Sequence, residues 1–142
     1  MVTLTIEQEF FNQYRLMYRP FINQVNVLLE KYQLFSSQWA LLRLLKDKGS
    51  HTFVDIANFM FIEKPSVTRL VQKLVELGYV ETVAGRDKRE KLVQLTANGE
   101  EIVQEIQAQL KPFFEQALAG VSKQEIEIAT QVLANICANI NR

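Results

Sequence analysis

Lys64-Pro65-Ser66-Val67-Thr68-Arg69-Leu70-Val71-Gln72-Lys73-Leu74-Val75-Glu76-Leu77-Gly78 is the stretch whose reading decides the fold. At about 100° per residue, Val67, Leu70, Val71, Leu74 and Leu77 fall on one side of a helix over 65–77, and Thr68, Arg69, Gln72 and Lys73 on the other. Proline suits the first helical position, where its missing N–H costs nothing, and Gly78 closes the helix. Past Gly78 the period changes from helical to alternating. Tyr79-Val80-Glu81-Thr82-Val83 and Lys91-Leu92-Val93-Gln94-Leu95 read as two short strands. Between them lies Ala84-Gly85-Arg86-Asp87-Lys88-Arg89-Glu90, whose glycine permits a turn, so the segment is a β-hairpin with a basic tip.

Upstream, Thr52 can cap a short helix carrying Val54, Ile56, Ala57 and Met60 or Phe61, and Ser36 can cap one carrying Trp39, Leu42 and Leu45 that ends at Gly49. From Ile6 the positions Phe10, Tyr14, Met17, Phe21, Val25, Leu28 and Tyr32 recur at steps of three and four, tracing one face of a long helix. Pro20 stands inside that run, where proline kinks a helix. Downstream, Thr96 can cap a helix with Ile102, Ile106, Leu110 or Gln109, and Phe113 on one face, and Pro112 counts against its continuity. Ser122 and Glu125 have capping-box spacing before Ile126, Ala129, Leu133, Ile136 and Ile140. The expected fold is mainly α with a small β-hairpin wing. A winged helix-turn-helix over 35–96 is flanked by long helices over 1–34 and 97–142.

The chain has 142 residues, 48% of them hydrophobic and 23% charged, with a formal net charge of zero. That zero is segregated. Residues 63–91 hold seven Lys/Arg against five acids, and residues 92–142 three against six. A phosphate backbone responds to the local field, so a basic centre with an acidic far end still suits nucleic acid. Glu7, Gln8 and Glu9 near the start do not suit a signal peptide, and no apolar run approaches the ~18 residues that cross a bilayer. The expected location is cytoplasmic. A single cysteine, Cys137, excludes an intramolecular disulfide, and one histidine, His51, in a polar turn reads as a surface or cap residue. Neither a metal nor a cofactor is expected. No nucleophile–base set, carboxylate pair or phosphate-cradling glycine loop points to an enzyme.

The polar face of the 65–77 helix offers arginine for guanine, glutamine for adenine, a threonine hydroxyl and methyl, and lysine for phosphate. A solvated face is the ordinary alternative, but this one follows a short helix and a turn, as a helix that enters the major groove does. Lys64, Ser66, Thr68, Arg69, Gln72 and Lys73 are the candidate helix contacts to double-stranded DNA, with Arg86, Lys88 and Arg89 on the hairpin. A winged helix that binds protein instead would present apolar residues there.

The segment from Ile62 to Val71, with Leu74, Leu77-Gly78 and Tyr79-Val80, resembles the recognition helix of the MarR family of bacterial regulators. Asp87-Lys88-Arg89 leading into Leu95-Thr96-Ala97-Asn98-Gly99 is similar to that family's wing signature, and Thr82 stands where many members carry a basic residue. The resemblance implies that Arg89 enters the minor groove and that Asp87 braces it. It also implies dimerisation through the flanking helices and control by a small aromatic molecule, for which Tyr14, Tyr18, Phe21, Phe35 and Trp39 are the candidate pocket. Aromatic residues at helical spacing are also ordinary core residues. Dimerisation has a physical argument of its own, because Phe10, Phe11, Tyr14, Phe21, Phe113, Phe114, Ile126, Ile136 and Ile140 are more apolar surface than a winged domain of this size can cover. A two-fold dimer implies a pseudo-palindromic operator, and the family implies a repressor. Cys137, on an apolar helix with no basic neighbour in sequence, does not read as a redox sensor.

Overall fold

The computed structural model describes residues 3–87 and 89–141; Lys88, one of the expected wing contacts, lies outside them. Helix α1 (Ile6–Leu29) opens on a capping box, with the Thr5 hydroxyl accepting from the Gln8 N–H and the Gln8 amide oxygen accepting from the Thr5 N–H. It runs through Pro20. The apolar pattern continues to Tyr32, but the helix stops at Leu29, because Glu30–Tyr32 tighten into a 3₁₀ turn and Gln33 takes the left-handed conformation at φ 62°. Helix α2 (Ser36–Lys48) begins one residue earlier than its expected cap allows. Ser36 is already helical. Its N–H donates to Asn26 of α1 at 2.8 Å, and the Phe35 N–H is taken by the Gln38 side chain at 2.8 Å.

A two-residue strand β1 (His51–Thr52) precedes α3 (Phe53–Met60), and α4 (Lys64–Glu76) follows. Thr52 caps α3 as expected, accepting from the Asp55 N–H at 3.1 Å. Helix α4 starts at Lys64, which makes Pro65 its second residue. Strands β2 (Val80–Ala84) and β3 (Lys91–Leu95) pair antiparallel with Val80 opposite Leu95 and Ala84 opposite Lys91. His51, expected as a surface or cap residue, pairs with Val93 and Thr52 with Leu92, so the sheet has three strands in the order β1-β3-β2. Helix α5 (Ala97–Ala117) continues through Pro112, and α6 (Lys123–Ile140) carries the expected Ser122–Glu125 capping box. The Ser122 N–H and hydroxyl bond to Glu125 and hold its exposed carboxyl below the usual range.

The chain divides into two compact units, one running to Leu110 and the other starting at Lys111. In the first, Val67, Val71 and Leu74 of α4 pack into a core with Leu41, Leu42, Ile56 and Val93, all essentially buried. Each such side chain contributes roughly 1.5–3 kcal/mol. Tyr79, just ahead of β2, ties several elements of this unit together. Its N–H reaches the Leu74 carbonyl at 3.0 Å, its carbonyl accepts from Thr96 at 3.1 Å, and its buried hydroxyl donates to the Tyr32 carbonyl at 3.2 Å. Burial chiefly, then the Glu105 carboxylate and Tyr32, push the Tyr79 phenol above its usual pKa. The start of α5 lies so close that a Cβ on Gly99 would sit 2.0 Å from the Tyr79 carbonyl oxygen. In the second unit, α6 has no buried residue, and Leu118, Val121, Ile128, Val132, Leu133 and Ile140 are exposed.

Candidate nucleic-acid interface

Helix α4 presents its polar side as the sequence requires, with Lys64, Arg69, Gln72 and Lys73 exposed and Ser66 and Thr68 half-buried. The Ser66 hydroxyl accepts from the Arg69 guanidinium at 3.2 Å, and the Thr68 hydroxyl donates to the Lys64 carbonyl at 3.2 Å. The first contact pre-orients a guanidinium one turn into the helix. The second leaves the Thr68 hydroxyl able to accept.

Two adjoining grooves run along one side of α4 and share Phe53, Thr68 and Lys91 in their lining. One, of about 620 Å³, is lined by Thr52, Phe53, Val54 and Asp55 from the β1–α3 junction, Lys64 and Thr68 from α4, and Arg89, Glu90 and Lys91 at the wing. The other, of about 660 Å³, is lined by Phe53, Thr68, Val71, Gln72, Val75 and Glu76 with Thr82 and Lys91 of the hairpin. Of the expected contacts, Lys64, Thr68, Gln72 and Arg89 therefore border the two grooves. Lys73 faces elsewhere. It lines a groove of about 450 Å³ with Asn23, Asn26, Val27, Glu30, Gln33, Leu34 and Phe35. The β1–α3 residues were not among the expected contacts. They reach the groove because β1 pairs with β3, and a two-residue strand leaves no periodic mark in sequence.

Within the wing, Arg86 and Arg89 are exposed. The Asp87 carboxylate accepts from the Arg89 backbone N–H at 3.1 Å, not from the guanidinium, while the Asp87 carbonyl accepts from the Glu90 N–H at 2.9 Å. The loop closes with the Gly85 N–H on the Glu90 carbonyl at 2.9 Å. A Cβ at Gly85 would stand 2.9 Å from that of Glu90, so glycine serves here by giving up volume.

The five candidate pocket aromatics have different settings. Tyr14 and Tyr18 stack at 5.8 Å between centroids and are exposed, and Phe35 lines the groove that holds Lys73. Phe21 is half-buried on α1. Trp39, at 5% exposure, belongs to the core of the first unit, where its ring is spent on packing. Among the described residues no group of three or more His, Cys, Asp or Glu is placed to hold a metal ion, and no helix is long and apolar enough to cross a membrane.

Comparison with known proteins bears on the same features. The MarR family model matches residues 33–90, which span α2 to the loop of the wing and stop short of β3. The HTH-type transcriptional regulator YwoH of Bacillus subtilis is 34% identical over 122 residues, 86% of this chain and 89% of that protein. Staphylococcus aureus MarR, solved in complex with salicylate and kanamycin, superposes with a TM-score of 0.85 at 25% identity, covering 95% of this chain and 92% of that one. The transcriptional regulator BldR from Sulfolobus solfataricus shares the fold at a TM-score of 0.85 and 23% identity, covering 98% and 99%. With an exposed polar α4 beside a braced basic wing, and identity to YwoH along most of both chains, this protein belongs to the MarR family of DNA-binding, HTH-type transcriptional regulators.

Proposed function

We propose that the chain acts in the cytoplasm as a homodimeric repressor that reads a pseudo-palindromic operator, with α4 in the major groove and the wing on the adjacent minor groove. The observation that carries this is the side of α4 that faces the wing, where two adjoining grooves collect Lys64, Thr68, Gln72 and Arg89 on their borders. Arg69 and Gln72 read base edges, Lys64 and Arg86 meet phosphates, and Arg89 supplies minor-groove attraction. The segments 1–34 and 97–142 form the dimer interface. Support comes from α6, which has no buried residue, and from Ile6, Phe10, Phe11 and Met17, which lie exposed on α1. A small aromatic effector releases the DNA. Phe35, exposed in the groove beside Lys73, supports that reading, as does the salicylate in the complex of the S. aureus protein.

Arg69→Ala and Gln72→Ala test the base-reading assignment, because each lost contact should cost about 1–3 kcal/mol against the preferred site and leave random duplex unaffected. An unchanged ratio of operator to random affinity for both variants refutes it. Light scattering should return about twice the 16.4 kDa chain mass, and a monomer at micromolar concentration refutes the dimer.

A further inference from the structure

Phe61 closes α3 in the left-handed conformation, φ 57° and ψ 40°, with its N–H and that of Ile62 both directed to the Ala57 carbonyl. Glycine or asparagine takes that position at little cost, whereas a bulky side chain is strained there. Burial could offset the strain, but the Phe61 ring is 65% exposed. The fold thus carries a strained apolar ring and gains little packing from it. Strain that the fold does not use points to a contact outside the chain.

Its place indicates which contact. Phe61 lies in the turn that leads into α4, three residues before Lys64. Val54 and Asn58 are spaced by four along α3, so they share one side of it, and both are exposed, as is Phe61 at its end. Val54, near the start of α3, and Lys64, three residues after Phe61, both line the groove with Thr68 and Arg89. Phe61 therefore borders the surface assigned to DNA. In that duplex the apolar group a phenyl ring can single out is the C5-methyl of thymine, which projects into the major groove.

We propose that Phe61 is a specificity-determining residue that packs on a thymine methyl at the edge of the major groove read by α4. This rests on the DNA-binding reading above. The contact adds a base preference at a step that Arg69 and Gln72 do not read, and it explains why the turn holds phenylalanine despite its backbone conformation.

The test uses the full-length protein and an operator recovered by selecting bound sites from random duplex. Each thymine of the operator is replaced in turn by deoxyuridine, which removes the methyl and keeps every hydrogen-bonding group. At one thymine in each half-site the wild type should lose about fourfold in affinity, the value of one buried methyl-sized group. Phe61→Gly and Phe61→Asn suit the left-handed turn, so both should unfold at the same or a higher urea concentration than the wild type. Both should also lose the preference for thymine at that step and keep it elsewhere. Three results overturn the proposal: variants that retain the thymine preference at every step, variants that lose affinity equally for the thymine and deoxyuridine operators, and variants that unfold earlier, which would make the ring structural. Failure to select any operator would instead remove the DNA-binding reading, and the proposal with it.

Discussion

Replacing Asp87 by asparagine and by alanine separates the geometry of the wing from its charge. Asparagine keeps an oxygen able to accept from the Arg89 N–H, now at 3.1 Å, and loses the negative charge; alanine loses both. The hydrogen bond is exposed, so its loss costs about 1 kcal/mol of order in the turn. An anion ~10 Å from a phosphate in water repels it by about 0.4 kcal/mol, and ~0.1 M salt reduces that further. Asp87→Asn should therefore bind operator up to about twofold tighter than the wild type. Asp87→Ala should bind about threefold weaker per subunit, because the lost brace exceeds the relieved repulsion. Arg89→Ala gives the scale: it should weaken all duplexes alike and flatten the plot of log affinity against log salt by about 0.9 per subunit. Fluorescence anisotropy across a salt series measures all three variants. If Asp87→Ala binds as tightly as Asp87→Asn at every salt concentration, the brace contributes nothing and the argument from the turn fails.

Two tyrosines should respond to loss of a hydroxyl with opposite signs. Tyr32→Phe removes a buried hydroxyl that has no hydrogen-bond partner and should raise stability by about 1 kcal/mol; Tyr79→Phe removes the donor to the Tyr32 carbonyl and should lower it by about the same, both read by urea unfolding. Because the Tyr79 phenol titrates higher in the folded chain than in the unfolded one, its contribution is complete below pH ~10 and is lost as pH rises through the folded value, a step that Tyr79→Phe should abolish. Ser122→Ala should destabilise α6 by about 1 kcal/mol and, in an NMR titration, return the Glu125 carboxyl upward toward its ordinary range.

Residues with a strong period were legible in the sequence. The wheel of α4 placed Val67, Val71 and Leu74 inside and Arg69 and Gln72 outside, and the alternation past Gly78 gave both hairpin strands, the first displaced by one residue because Tyr79 is held by Leu74 and Thr96. What the sequence did not show were features set by partners distant along the chain. His51 and Thr52 become a strand only because Val93 and Leu92 lie opposite, and this brings Val54 to the groove. Asn26 satisfies the Ser36 N–H from ten residues away, displacing the expected cap. Trp39 and Phe35 sit four residues apart, one buried and one exposed, and composition could not separate a core ring from a groove ring. The Asp87 carboxylate bonds the Arg89 backbone N–H and not its guanidinium, a choice that depends on the local turn and leaves no mark in the residue types.

The close approach of Gly99 to Tyr79 bears on how such a regulator can be switched. The Thr96 hydroxyl donates to the Gly78 carbonyl at 2.6 Å and accepts from the Gly99 N–H at 3.0 Å, and the Lys46 ammonium meets the Glu100 carboxylate at 2.6 Å. With no Cβ between the α5 backbone and the Tyr79 carbonyl, there is no slack for the base of the hairpin to slide along the helix. The end of α4, the root of the wing and the first turn of α5 are thus tied to one another. If the chain pairs as proposed, a displacement of the first turn of α5 would carry the base of the wing with it, and would alter the spacing between half-sites rather than the bases preferred within each.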